Sequence, residues 1–245
     1  MKRTLTVCLW LTGLFLFLLG STRLCLYGAQ SRQNARVTGE IRQALAPQTA
    51  VKTEPGTPYD RYRQFFDQNG DMVGWLRIDG TVIDYPVMRT PLEPNFYLKR
   101  NFNKERSGHG CLYVAEACTL TPRSDNIIIH GHNMRDGQMF GSLGNYRSET
   151  YYREHPVIHF DTRSSYDAYR IIAVFRTVPS EFPFYQFTGA ETPAEFEDFV
   201  AFCQKLSFYD TGQNARYGDK LLTLSTCEYS RPNSRLVVVA KKLDD

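Results

Sequence analysis

The chain has 245 residues, which is long enough for one sizeable folded domain with an appendage but short for two full domains. Its 29 Lys and Arg side chains nearly balance its 26 Asp and Glu side chains, and no long run of one charge occurs. This balance gives no support for a nucleic-acid-binding protein, so we expect one catalytic domain without a nucleic-acid partner.

The N-terminus predicts a membrane segment. A basic start at residues 2–3 is followed at residues 4–22 by nineteen uncharged and mostly apolar residues, enough to cross a bilayer as a helix. A cleaved signal peptide is the competing interpretation, but the only candidate cleavage site, residues 27–29, carries the bulky Tyr27 where a small residue is required. We therefore expect residues 1–29 to form a cytoplasmic tip and a transmembrane signal anchor, although the basic flanks on both sides do not settle its orientation.

The next segment, residues 30–56, is polar and interrupted by Pro and Gly, and we interpret it as an extracellular stalk before a folded domain at residues 57–245. The pair at 57–58 combines an N-cap threonine with a first-turn proline, which predicts a helix that stops at residues 69–70, an Asn-Gly pair. The Asp-Gly pair at 79–80 then predicts a β-hairpin with a two-residue turn, because these residues tolerate positive φ.

Eight short strands are predicted in this domain, all rich in β-branched and aromatic residues and bounded by turn signals. They are residues 75–78, 81–85, 110–114, 126–130, 157–160, 166–177, 220–227 and 235–242. Strands this short and numerous suggest a sandwich or a closed barrel, and we prefer the barrel because closure removes exposed strand edges. Two helical insertions are predicted, at 139–154 and at 192–206, where a capping-box sequence opens the second.

The six cysteines show no C-x-x-C pair and no Cys/His zinc spacing. Cys203 lies on an apolar helical face, which is typical of a small buried residue, and Cys111 and Cys118 are the pair that a disulfide could join. Cys227 differs because it ends the predicted strand KLLTLSTC, and a strand end at a barrel rim is both reachable and rigid. A buried structural cysteine is the alternative interpretation of Cys227.

The residues after Cys227 favour a nucleophile. A turn at residues 230–234 reverses the chain, so that Arg235 begins the neighbouring antiparallel strand and lies beside Cys227. A guanidinium in that position could hold a carbonyl oxygen as it gains negative charge. Arg231, within the turn, is the rival for this role, and a solvated rim arginine is the simpler alternative for Arg235.

A cysteine nucleophile also needs a base, because the thiolate is the attacking species. The stretch NIIIHGHNM, residues 126–134, is an apolar strand that opens into a loop carrying His130 and His132. An H-x-H pair of this kind also suits a metal hydrolase, but no third ligand has a diagnostic spacing to it. We therefore prefer acid/base catalysis, in which His132 is at the loop mouth, and we predict no metal and no cofactor.

These residues together resemble a known family. TLSTC at 223–227, followed by an arginine at the head of a valine-rich strand, with NIIIHGHNM upstream, resembles the sortases, membrane-anchored cysteine transpeptidases of Gram-positive bacteria. Class B is the closer resemblance, because a helix at 193–206 precedes the cysteine strand and because VGWLRIDGTVIDYPV and FYDTG are similar to class B segments. The resemblance covers residues 57–242 and implies a closed eight-stranded sortase-type β-barrel with an N-terminal helix and helical insertions.

For the site, the resemblance implies that Cys227 is the nucleophile, His132 the acid/base and Arg235 the group that binds the oxyanion. It also implies that His130 is not catalytic, since relatives often have tyrosine at its position. Glu116 lies near a position where relatives often carry an acidic residue, whereas the neighbouring cysteine and histidine depart from the family pattern. To substrate binding we assign Ser225, Thr226 and Asn133.

The resemblance implies cleavage of a C-terminal sorting signal of NPxTx type, after its threonine, in a secreted surface protein or a pilin. The acyl group would pass to an amine of a peptidoglycan cross-bridge or of a pilin lysine, at a single-pass enzyme whose catalytic domain is extracellular. Two alternatives stay open: a cysteine peptidase that uses water as acceptor, and a non-catalytic surface-binding barrel in which Cys227 is a packing residue.

Overall fold

The computed structural model of the protein describes residues 2–45 and 57–244. The helices are α1 (Lys2–Leu45), α2 (Pro58–Gln68), α3 (Glu149–Glu154) and α4 (Pro193–Leu206), with 3₁₀ helices at Phe96–Lys99, Gly141–Arg147 and Phe184–Gln186. The strands are β1 (Met72–Arg77), β2 (Asp84–Met88), β3 (Leu112–Val114), β4 (Asn126–His130), β5 (Val157–Thr162), β6 (Tyr166–Thr177), β7 (Leu221–Cys227) and β8 (Arg235–Lys242).

The strands close into a barrel in the order β1-β2-β3-β4-β7-β8-β6-β5. The predicted closed barrel is therefore confirmed, and all of its predicted strands are present with ends shifted by a few residues. Two neighbouring pairs, β2 with β3 and β4 with β7, are parallel, whereas the other pairs are antiparallel. The parallel pairing of β4 with β7 brings the C-terminal ends of both strands to the same rim of the barrel.

Three apolar clusters stabilise this arrangement. The largest fills the barrel and includes alternate residues of β7, Leu222 and Leu224. A second lies between the outer face of β6 to β8 and α4, where Phe196 is fully buried. The third lies under α2, where Tyr62 stacks on Trp75 with ring centroids 5.4 Å apart. Both helices thus pack on the outer wall of the barrel, α4 behind β6 to β8 and α2 beside β1 and β5.

The helix starts follow the predicted signals with one difference. Thr57 caps α2 with a complete capping box to Asp60. At α4 the Thr192 hydroxyl accepts the Glu195 backbone N–H, but the Glu195 carboxylate accepts the N–H of Glu191 instead of that of Thr192. The capping box predicted at α4 is therefore only half formed.

The predicted hairpin of β1 and β2 is present, but the prediction of a two-residue turn is wrong. Arg77 lies opposite Asp84, so residues 78–83 form the turn, with the Ile78 N–H bonded to the Ile83 carbonyl at 2.9 Å. Both isoleucines are buried in the barrel. Burying these two side chains in the core requires the longer turn.

Helix α1 continues without interruption from the apolar segment into the predicted stalk. One part of it, Trp10–Glu40, is long and apolar enough to cross a membrane. The predicted stalk, residues 30–56, is helical as far as Leu45, and residues 46–56 lie outside the described part of the chain. The predicted boundaries between anchor, stalk and catalytic domain stay a prediction.

The buried contact between α2 and the barrel yields a test of the fold. The Tyr62 hydroxyl donates to the carboxylate of buried Asp161 at 2.6 Å, and burial raises the pKa of Asp161. We expect Tyr62→Phe to lower the free energy of unfolding by about 1–3 kcal/mol, because it leaves a buried acceptor without its donor. The matched control is Tyr59→Phe, whose hydroxyl makes an exposed 3.3 Å contact to Asp67. Equal effects of the two variants in urea unfolding would contradict this account.

Candidate active site

A cavity of about 590 Å³ opens at the rim where β4 and β7 end and β8 begins. Among its lining residues are seven that the sequence had singled out: Glu116, His130, His132, Ser225, Thr226, Cys227 and Arg235. Its other walls come from the loops that follow β2, β3 and β6. The rim therefore brings together side chains that are widely separated in the sequence.

Cys227 is the last residue of β7 and is half-buried at the cavity wall. Its backbone lies directly opposite that of Arg235, the first residue of β8. By contrast, Cys111, Cys118 and Cys203 are free thiols that are buried away from this cavity. The reachable thiol at the rim is thus the one that the sequence had predicted.

The imidazole of His132 is oriented by a backbone carbonyl. Its Nε2 lies 2.7 Å from the carbonyl oxygen of Leu98, in the 3₁₀ helix that precedes β3. Because a carbonyl can only accept, the proton of this bond belongs to Nε2, and Nδ1 is the nitrogen left for proton transfer. The contact selects one tautomer and fixes the plane of the ring.

The chain on either side of His132 is tied to the end of β7. The Thr226 hydroxyl donates to the Gly131 carbonyl at 2.7 Å, and the Asn133 side-chain amide donates to the Cys227 carbonyl at 2.8 Å. These two bonds extend the parallel pairing of β4 and β7 beyond the strands and hold His132 alongside Cys227.

Glycine is required between the two histidines. A Cβ at Gly131 would lie 2.5 Å from a side-chain carbon of Leu112 and 2.7 Å from one of Phe140. The close approach of these core side chains leaves no room for a larger residue. A side chain at this position would have to displace these core groups or the backbone next to His132.

The three residues assigned to substrate binding occupy different positions. Ser225 and Thr226 line the cavity, although both are almost fully buried. The Thr226 hydroxyl and the Asn133 amide are engaged in the bonds to Gly131 and to the Cys227 carbonyl. In this structure Thr226 and Asn133 thus hold the two strand ends together, and Ser225 is the one whose position best suits a substrate contact.

The two candidate arginines differ in their surroundings. Arg235 lines the cavity, and its Nη1 donates to the carbonyls of Asn233 and Ser234 at 3.2 and 3.0 Å. The Arg231 guanidinium instead forms a two-point ion pair with Glu181, at 3.0 and 2.8 Å. Arg235 is therefore the arginine placed at the cavity beside Cys227.

His130 has a different environment from His132. Its pKa is lowered to about 4, chiefly by burial; the nearby Glu116 carboxylate acts in the opposite direction, and the Arg235 guanidinium adds to the lowering. His130 is consequently neutral near pH 7, which makes it unsuited to donate a proton there. Within the described residues, no group of three or more His, Cys, Asp or Glu side chains is arranged to hold a metal ion.

Several cavity residues were not found by sequence reasoning. Asn95 adopts a left-handed conformation with φ of 59°, and its backbone N–H donates to the Glu116 carboxylate at 2.6 Å. The Tyr113 hydroxyl donates to the Asn95 side chain at 2.9 Å. Leu98 contributes its carbonyl to His132, as described above. The only sequence signal in this loop is Asn95 itself, because asparagine tolerates the left-handed region better than most residues.

Comparisons with known proteins agree with this geometry. A family model described as a sortase domain matches residues 76–243, a range that contains all of the cavity residues. Sortase B of Listeria monocytogenes is 29% identical over 231 residues, covering 94% of this chain and 92% of that protein. Sortase B of Staphylococcus aureus is 30% identical over 175 residues, covering 71% of this chain and 70% of that protein. The solved Staphylococcus aureus sortase B-substrate complex has a TM-score of 0.79 at 25% identity, covering 88% of this chain and 99% of that one.

The lowered pKa of His130 predicts how stability depends on pH. Between pH 6.5 and about 4 the unfolded chain binds a proton that folded His130 does not, so the free energy of unfolding falls as the pH is lowered through this range. We expect His130→Gln to remove up to about 3 kcal/mol of this decline, as judged by urea unfolding at a series of pH values. Above pH 7 the two curves should run parallel. Identical curves from pH 7 to pH 4 would show that His130 is not buried as described.

Proposed function

The chain belongs to the sortase family, and because it is a class B cysteine transpeptidase we propose that it cleaves an NPxTx-like C-terminal sorting signal after its threonine. Cleavage proceeds through a thioester on Cys227, and the protein is then transferred to an amine of the cell wall or of a pilin. The observation that carries this proposal is the meeting of Cys227, His132 and Arg235 at one open cavity on the barrel rim.

In the first half of the reaction, the Cys227 sulfur attacks the threonine carbonyl carbon. The C–N bond of the scissile peptide breaks, and Nδ1 of protonated His132 gives its proton to the departing amine. Nε2 keeps its proton on the Leu98 carbonyl throughout, so the ring does not need to turn. The product of this half is an acyl-enzyme thioester and a released C-terminal peptide.

In the second half, a primary amine attacks the thioester carbonyl. His132 accepts the proton that the amine loses, and the Cys227 thiolate leaves. A new amide bond therefore replaces the one that was cleaved. Water in place of the amine gives slow hydrolysis as a side reaction, which is the activity that the peptidase alternative would make dominant.

Arg235 is assigned to the oxyanion of both tetrahedral states. The antiparallel register places it opposite Cys227, and the two carbonyl contacts of Nη1 hold its guanidinium at the cavity. A positioned cation with several N–H donors stabilises negative charge most strongly where water is largely excluded. Ser225, buried beside the nucleophile, is assigned to contact with the bound signal.

The substrate class rests on the relatives. The structural neighbour from Staphylococcus aureus is a sortase B-substrate complex that covers most of this chain. We propose that the same cavity takes the signal here, with Glu116 and Asn95 forming its polar wall. The acceptor is a primary amine of a peptidoglycan cross-bridge or of a pilin lysine.

We also propose that the enzyme is a single-pass membrane protein with its catalytic domain outside the cell. The uncharged run at residues 4–22 of α1 supports this, and Tyr27 just beyond it stacks on His109 with ring centroids 6.0 Å apart. Tyr27 lies only about 8 Å beyond Thr22 along the helix, at 1.5 Å per residue. A substrate held in the same membrane would therefore meet the active site at a high effective concentration.

The chemistry is tested by incubating the full chain in detergent micelles with a panel of NPxTx and LPxTG peptides. We expect an acyl adduct on Cys227 by mass spectrometry, its loss in Cys227→Ala, and its retention in Cys25→Ala, which changes an exposed thiol of α1. Added triglycine should accelerate peptide turnover and appear in the product. Turnover that is indifferent to the amine would favour a peptidase, and no adduct with any peptide would refute the proposal.

The two arginines provide a matched pair of variants. Arg235→Lys should lower kcat/KM by about a hundredfold or more, because a point charge cannot reproduce the planar donor fork. Arg231→Lys, which alters only the ion pair with Glu181, should stay within about threefold of the wild type. Thermal unfolding of both variants checks that the fold is intact. The reverse ranking would move the oxyanion role to Arg231.

A further inference from the structure

One face of the juxtamembrane part of α1 is docked on the barrel. Tyr27, Ser31, Asn34 and Thr38 recur at helical spacings of four, three and four residues, which places them on one face. Asn34 is 4% exposed and Thr38 8% exposed, whereas most of the residues between them are exposed. The buried face is mostly polar and docks through hydrogen bonds, together with the stacking of Tyr27 on His109 and the packing of Val37 on the cluster under α2.

Those hydrogen bonds are directed at a single loop. The Ser31 hydroxyl donates to the Asp136 carboxylate at 2.6 Å, and the Asn34 amide donates to the Gln138 side chain at 2.9 Å. The Gln138 amide in turn donates to the Ser31 hydroxyl at 3.1 Å. Two neighbouring turns of α1 thus bind the loop of residues 133–139 through Asp136 and Gln138.

This loop starts directly after His132, and hydrogen bonds bring its far end back to the His132 backbone. Asn133 and Met139 form an isolated β-bridge that closes the loop, and the Phe140 N–H donates to the His132 carbonyl at 3.0 Å. Inside the loop, the Asp136 carboxylate accepts the Gln138 backbone N–H at 3.1 Å. A displacement of the loop would therefore be transmitted to the backbone of His132.

His109 connects the loop to the second support of His132, which is the backbone carbonyl of Leu98. Its side chain is 1% exposed, and its Nε2 lies 2.7 Å from the same Asp136 oxygen that Ser31 contacts. Nδ1 of His109 has no hydrogen-bond partner among the described residues, so Asp136 is the hydrogen-bond partner that orients the ring there. The next residue, Gly110, has φ of 61°, and its ideal Cβ position is 2.7 Å from the Leu98 carbonyl oxygen that holds the His132 ring.

We propose that Asp136 and His109 are positioning residues for His132 and that docking of α1 through Ser31 and Asn34 completes this support. The membrane anchor is then part of the catalytic apparatus and not only a tether. This inference rests on the proposed role of His132 in proton transfer. It predicts that undocking the helix slows the chemical step while leaving the peptide-binding cavity intact.

The test compares variants of the full chain in detergent micelles with an NPxTx peptide that the wild type turns over. In Ser31→Ala/Asn34→Ala and in Asp136→Ala, kcat should fall about tenfold or more while KM stays within about twofold, because small misplacements of a catalytic group are costly. Arg36→Ala/Glu40→Ala is the matched control, since this ion pair lies on the exposed side of the same helix. The control should keep the wild-type kcat.

His109 separates a positioning role from a general loss of stability. His109→Gln keeps an amide donor that can reach Asp136, so it should retain most of the kcat, whereas His109→Leu should lose about as much as Asp136→Ala. Effects of the helix double variant and of Asp136→Ala should be far from additive, because Ser31 bonds to the Asp136 carboxylate and Asn34 bonds to Gln138, whose backbone N–H the same carboxylate accepts. Additive effects, or equal kcat in all variants, would overturn the inference.

A readout without substrate keeps this inference distinct from the proposed reaction. Amide hydrogen exchange of residues 133–140, followed by mass spectrometry, should be faster in Ser31→Ala/Asn34→Ala and unchanged in the Arg36/Glu40 control. If the wild type turns over no peptide, the proposed function fails and the exchange data alone decide the coupling. Unchanged exchange in the helix variant would refute docking as a support of the His132 loop.

Discussion

The parallel pairing of β4 with β7 is the constraint on which the site depends. Its register sets His130 opposite Ser225, and the bonds from Thr226 and Asn133 continue that alignment past the ends of the strands. The imidazole of His132 and the thiol of Cys227 then share a rim although they are 95 positions apart in the sequence. Parallel strands cannot be joined by a tight turn, so the long excursion between β4 and β7 follows from this pairing. That excursion provides β5, β6 and α4, which complete and brace the barrel.

The cavity has few charged groups, and its arginine and two histidines differ in charge and surroundings. Arg235 is a permanent cation at the cavity, and its proximity helps to keep His130 neutral, so that a second positive charge does not form beside it. His132 is oriented by a carbonyl and not by a carboxylate as in a Ser-His-Asp triad. The carbonyl fixes the tautomer and the ring plane without adding a formal charge to the site. The geometry of His132 therefore depends on how firmly the Leu98 backbone is held.

Local patterns predicted much of this molecule because the contacts concerned are local. The turn at residues 230–234 joins adjacent antiparallel strands, so the pairing of Cys227 with Arg235 followed from the sequence. The approach of His132 to Cys227 is a long-range parallel contact, and only the resemblance to sortases selected it over His130. The Leu98 contact had no signal at all, because it uses a backbone carbonyl that any residue could supply. The two-residue turn predicted for the first hairpin was wrong because turn propensity competes with the burial of Ile78 and Ile83, and burial prevailed.

Hydrophobic patterning also failed to predict the docked face of α1, because most side chains on that face are polar. An apolar stripe would have predicted packing, whereas Ser31, Asn34 and Thr38 read as a solvated stalk. Each hydrogen bond across such a face contributes only about 1 kcal/mol net, because the undocked groups bond to water instead. Three such bonds hold the helix with a few kcal/mol at most, so the docked arrangement is favoured but reversible. A support of this strength can orient His132, while the apolar clusters of the barrel stabilise the rest of the domain.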